Sequence, residues 1–166
     1  MPSRSRQIVG VVAAALAAMC FARQALAADA KAQITELEHK CAASTTSDEL
    51  MDCYDNSDEV VVYDLGTPRE FDGTKALRSD FQTFFDSYKN VKFDFVSLHV
   101  VTDGKMGLAN SIQHMTGTDK SGKPVDMTWR LTDVWRKQDG KWKMIHTHAS
   151  FPTDLKTGKA DLQSKP

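Results

Sequence analysis

One acid interrupts an otherwise apolar strand pattern. Over residues 125–137 the period-two rule puts Met127, Trp129, Leu131, Asp133 and Trp135 on one face. A carboxyl held among Trp129, Leu131 and Trp135 has its charged form disfavoured by desolvation, so its pKa rises. Such a group suits proton transfer. The alternative for Asp133 is structural: it ties down a strand end or pairs with an arginine such as Arg130 of a neighbouring chain. Further along, His146-Thr147-His148 sets two imidazoles on one strand face, roughly 7 Å apart by strand rise. With His114 they have the chemistry of a zinc site, but spacing fixes no third ligand. The chain has no Gly-x-Ser-x-Gly, Walker loop, dinucleotide fingerprint or Cys-x-x-Cys. Nucleotide, flavin and dithiol chemistry are therefore disfavoured, and no cofactor is expected.

The elements that must position these groups can be read along the chain. Ile34, Leu37 and Cys41 recur at helical spacing and predict a helix over 30–43. Thr46-Ser47-Asp48-Glu49 is a capping box for a second short helix, with Leu50, Cys53 and Tyr54 on its buried face. Two antiparallel helices would bring Cys41 near Cys53. Val60-Val61-Val62-Tyr63 reads as a strand. A long helix over about 74–88 carries one apolar stripe of Leu77, Phe81, Phe84, Phe85 and Tyr88. Strands follow over 92–101, 105–116, 125–137 and 141–151, with Asp103-Gly104 and Asp139-Gly140 as hairpin turns. Helices first and strands last predict an α+β fold: a curved antiparallel sheet wrapped around N-terminal helices, with an internal pocket. On the last strand Ile145, Thr147, Ala149 and Phe151 share the face expected to point inward.

Residues 1–27 read as a secretory signal: Arg4 and Arg6, an apolar run from Ile8 to about Ala22, then Ala25-Leu26-Ala27 with small residues at −3 and −1. A retained membrane anchor is the alternative, although no uninterrupted apolar run reaches the ~18–20 residues of a span. The 166 residues carry a net charge of −1; cleavage after Ala27 removes Arg4, Arg6 and Arg23 and leaves 18 basic against 22 acidic side chains, net −4. That balance gives no electrostatic reason to expect nucleic acid. With 41% hydrophobic and 26% charged residues, a wholly disordered chain is ruled out. The expected organisation is a signal over 1–27, one domain over 28–152 and a loose polar tail over 153–166. The mature protein is expected in the periplasm or secreted, with no membrane attachment. In that compartment Cys41 and Cys53 permit a single disulfide; two buried free thiols are the alternative.

The segment Thr132-Asp133-Val134-Trp135-Arg136-Lys137-Gln138-Asp139-Gly140-Lys141-Trp142, followed by Ile145-His146-Thr147-His148-Ala149-Ser150, resembles the C-terminal hairpin of the nuclear transport factor 2-like superfamily. It is most similar to SnoaL-like polyketide cyclases and to the association domain of calcium/calmodulin-dependent protein kinase II. Asp64-Leu65-Gly66-Thr67-Pro68 and Phe71-Asp72-Gly73 also fit SnoaL-like proteins, and the likeness spans residues 31–152. The resemblance implies a cone with an internal pocket and a homodimer through the convex face, where Arg130, Thr132, Val134 and Arg136 lie. It implies a small-molecule role: isomerase, cyclase or dehydratase by acid–base catalysis, or else non-catalytic binding or assembly in the cell envelope. Arginine positions of the kinase association pocket fall on Gln113, Asp133 and Ala149, none of them Arg, so a different ligand charge is implied. Metal-free relatives carry a similar His-x-His, so no metal is expected and zinc hydrolysis is the remote alternative. By likeness to the isomerases, Asp133 is the candidate proton-transfer group and Tyr54 its hydrogen-bond donor, with Tyr63 in reserve. The expected pocket lining is Tyr63, Gln113, Trp129, Leu131, Trp135, Ile145, Thr147 and Ala149, around a small, largely apolar ligand.

Overall fold

A computed structural model describes residues 26–163 of the chain. The predicted signal lies outside the described residues except for Leu26 and Ala27, which fall within the first described helix. That helix, α1, covers 26–42. Its buried face repeats at Ala30, Ile34, Glu38 and Cys41. The chain continues through α2 (Ser47–Met51), β1 (Val61–Tyr63), β2 (Phe71–Asp72), α3 (Thr74–Ser87), β3 (Tyr88–Thr102), β4 (Met106–Asp119), β5 (Pro124–Gln138) and β6 (Lys141–Ser150). The fold is α+β, with the strands in one curved, unclosed sheet of order β2-β1-β6-β5-β4-β3.

The predicted meander is present, and local chemistry sets its turns. Asp103 Oδ1 accepts the N–H groups of Lys105 and Met106, each at 2.8 Å, and closes the β3–β4 hairpin. Asp139 and Gly140 both take positive φ, 49° and 79°, as a two-residue turn matching strand twist requires. Departures from the reading lie at the margins. The two-residue β2 was not foreseen, and β1 pairs parallel with β6, so the sheet is not wholly antiparallel. Residues 153–163, expected to be loose, fold back: Thr153 bridges Ala160, and Thr128 on β5 donates its N–H to Leu162 at 2.8 Å.

Thr46 caps α2 by accepting the Glu49 N–H at 3.2 Å, while the Glu49 carboxylate reaches back to Thr45 N at 2.7 Å. Cys53 follows this short helix and is disulfide-bonded to Cys41 at the end of α1. A loop of this size stabilises by about 3 kcal/mol in the chain-entropy account. Two indoles fix α1 to the sheet: Trp135 Nε1 donates to Glu38 Oε1 at 2.6 Å, and Trp142 Nε1 to Gln33 Oε1 at 3.0 Å. Gly107 on β4 admits the closest approach, since a Cβ there would collide with the Ile34 side chain.

Two apolar clusters form between the helices and the sheet. The larger contains Ile34, Val60, Val62, Leu77, Phe81, Trp135 and Met144. The smaller is built on Met115, Trp129 and Ala149, with Phe84, Tyr88 and Phe93 packed on it. The α3 stripe serves both, Leu77 and Phe81 in the first and Phe84 in the second. Side chains of both clusters line a hollow. No helix among the described residues is long and apolar enough to cross a membrane.

Candidate functional site

The hollow has a volume of about 480 Å³. Its wall is mostly aromatic and aliphatic, from Leu50, Leu65, Phe81, Phe84, Phe93, Met115, Met127 and Trp129 among others. Four carboxyls reach it: Glu38, Asp64, Asp80 and Asp133.

Asp133 is 3% exposed and stands directly opposite Thr147 in the β5–β6 ladder. A bulge creates that pairing. Trp135 pairs with Met144 but Val134 pairs with His146, so Ile145 is left as the extra residue. Without it, Asp133 would face His146. With it, Thr147 Oγ1 donates to Asp133 Oδ1 at 2.5 Å. Tyr54 OH lies 2.8 Å from Thr147 Oγ1. Thr147 has one proton and gives it to Asp133, so Tyr54 must donate to Thr147. The chain of donors runs Tyr54 to Thr147 to Asp133. Tyr54 lies beyond α2 rather than on it, held by a bridge to Met144 with Asp55 N donating to Met144 O at 2.8 Å.

Glu38, 4% exposed, is the partner that sequence reasoning missed. Burial is the main force that raises its pKa from 4.5 to about 7, against the lowering effect of hydrogen bonds from Trp135 and Asp133. Asp133 is driven well above the carboxylate range, by burial first and then by the charge of Glu38. Asp133 is thus the protonated member, donating to Glu38, and Glu38 is the member that ionises near neutrality. Two carboxyls held together cannot both ionise easily, so the pair shares a proton. Tyr54 is pushed up by burial, then by Asp133, and keeps its proton. The signal for Glu38 was present: it falls four residues after Ile34, where the apolar stripe of α1 calls for an apolar residue.

Of the eight residues expected to line the pocket, Gln113, Trp129, Leu131 and Thr147 do. The others need correction. Tyr63 lies on the outer face at 38% exposure, its ring edge-on to His146 and His148 at 5.1 and 5.6 Å. Trp135 is fully buried beneath Glu38 and acts through its indole N–H. Ile145 is the bulge residue, which breaks the period-two assignment of its face. Ala149 is buried in the smaller cluster. His146 and His148 share the outer face as expected, while His114 is 3.0 Å from Asp126. Arg136, expected on a dimer face, pairs within the chain with Asp55 at 2.8 Å and Glu59 at 2.9 Å.

Trp135 also sets the strength of Glu38. In Trp135→Phe the indole donor is lost, and a hydrogen bond to a charged group contributes about 1.5–3 kcal/mol. The Glu38 titration, and any activity that follows it, should move up by about one to two pH units, as followed by a pH profile. An unmoved profile would separate Trp135 from Glu38.

The family described as SnoaL-like domain matches residues 31–154. No curated protein matches the chain. Among solved structures, a nuclear transport factor 2-like protein of unknown function from Pseudomonas putida superposes with a TM-score of 0.74 at 24% identity, covering 84% of this chain and 98% of that one. A nuclear transport factor 2-like superfamily protein from Salmonella enterica gives 0.70 at 20% identity, covering 81% and 99%. A ketosteroid isomerase-like protein from Erwinia carotovora gives 0.62 at 17% identity, covering 72% and 94%.

Proposed function

Because this chain belongs to the SnoaL-like domain family of the nuclear transport factor 2-like superfamily, we propose that it is an exported small-molecule-binding protein whose hollow performs cofactor-independent proton transfer. The observation that carries this reading is the buried Glu38–Asp133 pair opening into an apolar cavity. Ionised Glu38 takes a proton from the ligand, beside a carbonyl or hydroxyl. The Asp133 hydroxyl and the Trp135 N–H hold the carboxylate in place. The proton then returns from Glu38 to a second position, and nothing is oxidised or consumed. An isomerisation or an elimination of water fits this cycle. The Cys41–Cys53 disulfide supports an oxidising compartment. An assembly module would place its distinctive chemistry on the outer face, whereas the perturbed acids here face inward. The same reading takes the outer face around Arg130, Thr132 and Val134 as the contact of a homodimer, which native mass spectrometry tests as a doubled mass.

The mature protein should accelerate deuterium uptake beside the carbonyl of 2-tetralone, an apolar bicyclic ketone, in heavy water at pH 7, with amide shifts confined to the cavity lining. No acceleration together with no cavity shifts would remove the reading.

A further inference from the structure

Two polar side chains in the wall of the hollow take no part in that cycle. Gln113, in the middle of β4, is 7% exposed, and Trp129 on β5 is 6% exposed. Both line the hollow. The Gln113 amide and the Trp129 indole N–H make no hydrogen bond to any described residue. Their polar atoms are not sealed in packed protein. The contrast with their neighbours is plain. The other two indoles both donate, Trp135 to Glu38 and Trp142 to Gln33. The other deeply buried polar side chains of the wall are bonded too, Asp133 to Thr147 and Thr147 to Tyr54. Buried polar groups are ordinarily paired, so a pair left open in a cavity wall is set for a group that enters it.

The register brings the two together. Gln113 and Trp129 stand directly opposite each other in the β4–β5 ladder, where side chains on one face are immediate neighbours. Around them the wall is apolar, with Phe93, Met115, Met127 and Leu131. Together they offer N–H donors from both residues and one carbonyl acceptor. Asp133 pairs with Ala109, four residues further along the same ladder, roughly 13 Å by strand rise. The open pair therefore lies well apart from the Glu38–Asp133 end. Four carboxyls and no lysine, arginine or histidine are among the described residues lining the hollow, so an anion has no counter-charge there. From this geometry we infer that Gln113 and Trp129 form a second recognition point, which binds a neutral oxygen, hydroxyl or carbonyl, at the far end of the ligand. The inference rests on the hollow being the ligand site, as proposed above. It adds the ligand's form: an apolar body with the reacting ketone at Glu38 and a second, uncharged oxygen at Gln113.

Two ketones of one shape isolate that oxygen: 6-hydroxy-2-tetralone and 6-methyl-2-tetralone. Each is titrated at pH 7 into the mature wild-type protein and into Gln113→Met and Trp129→Phe, with affinity read from cavity amide shifts. The wild type should bind the hydroxy ketone at least about tenfold tighter than the methyl ketone. In Gln113→Met the order should level or reverse, and in Trp129→Phe the preference should fall at least about threefold. Methionine matches glutamine in shape, and the amide it replaces bonds nothing in the free protein. The melting temperature of Gln113→Met should therefore equal or exceed that of the wild type. Equal binding of the two ketones by the wild type would overturn the inference while leaving the cavity reading intact. So would a preference that either variant keeps at its wild-type value, or a Gln113→Met protein that melts more than about 5 °C lower. Binding of neither ketone would overturn both.

Discussion

Glu38→Gln should lower the protein's deuterium exchange into 2-tetralone by about 10²–10⁴-fold, the range a positioned general base contributes. Glutamine keeps the acceptor for Trp135 Nε1 and offers Asp133 a neutral partner, so the hydrogen-bond frame survives while the base is lost. The ketone should still bind, with affinity within about twofold of wild type. Asp133→Asn should act differently. It removes the nearby acid whose hydrogen bond restrains Glu38 and whose charge would oppose it, so the pH profile should move and the rate should fall less than in Glu38→Gln. A Glu38→Gln protein that exchanges at the wild-type rate would take Glu38 out of the chemistry.

The second large effect is on stability. Glu38 titrates near 4.5 when the chain is unfolded and at about 7 when it is folded. Between those values the folded state binds more protons, so stability falls as pH rises through about 4.5–7 and then levels off. The displacement corresponds to a loss on the order of 3 kcal/mol. Asp133 and Asp80 are also raised and act with the same sign. Opposing them at the acid end are lowered carboxyls such as Asp55, where hydrogen bonds from Arg136 and Ser57 outweigh burial. Their contribution is lost as pH falls below the ordinary carboxylate range. Denaturant unfolding should therefore find the protein more stable at pH 5 than at pH 8. Glu38→Gln should flatten much of that slope and exceed wild type at pH 8. Equal wild-type stability at both pH values, or a variant that follows the same curve, would contradict the buried pair.

The frame of this fold was legible because its signals are local and periodic. The Leu77–Phe81–Phe84 stripe, the Asp-Gly turns and the Thr46 cap each declare an element within a few residues. The acid at Asp133 was legible for the same reason, as a polar residue on an apolar strand face. Three features were not. The bulge at Ile145 has no turn residue to mark it, yet it decides that Thr147 rather than His146 meets Asp133. It also spoils the inward assignment of Ile145. The neighbours of the strand that ends at Tyr63 are not written in its residues. Its parallel pairing beside β6 sends the ring outward to His146 and His148. Glu38 interrupts the apolar stripe of α1, but the stripe does not show what that carboxyl meets. Only the docking of α1 through Trp135 and Gly107 brings it into the hollow, and that contact spans 97 residues of chain.

One buried glutamate carboxyl lining the hollow keeps its proton to near neutrality. Carbon-13 NMR of protein labelled at the glutamate side-chain carboxyls reads it directly. One resonance should titrate at about 7, disappear in Glu38→Gln and move upward in Trp135→Phe. If every glutamate carboxyl instead titrates in the ordinary range near 4.5, the pair does not exist and the proton-transfer account is wrong.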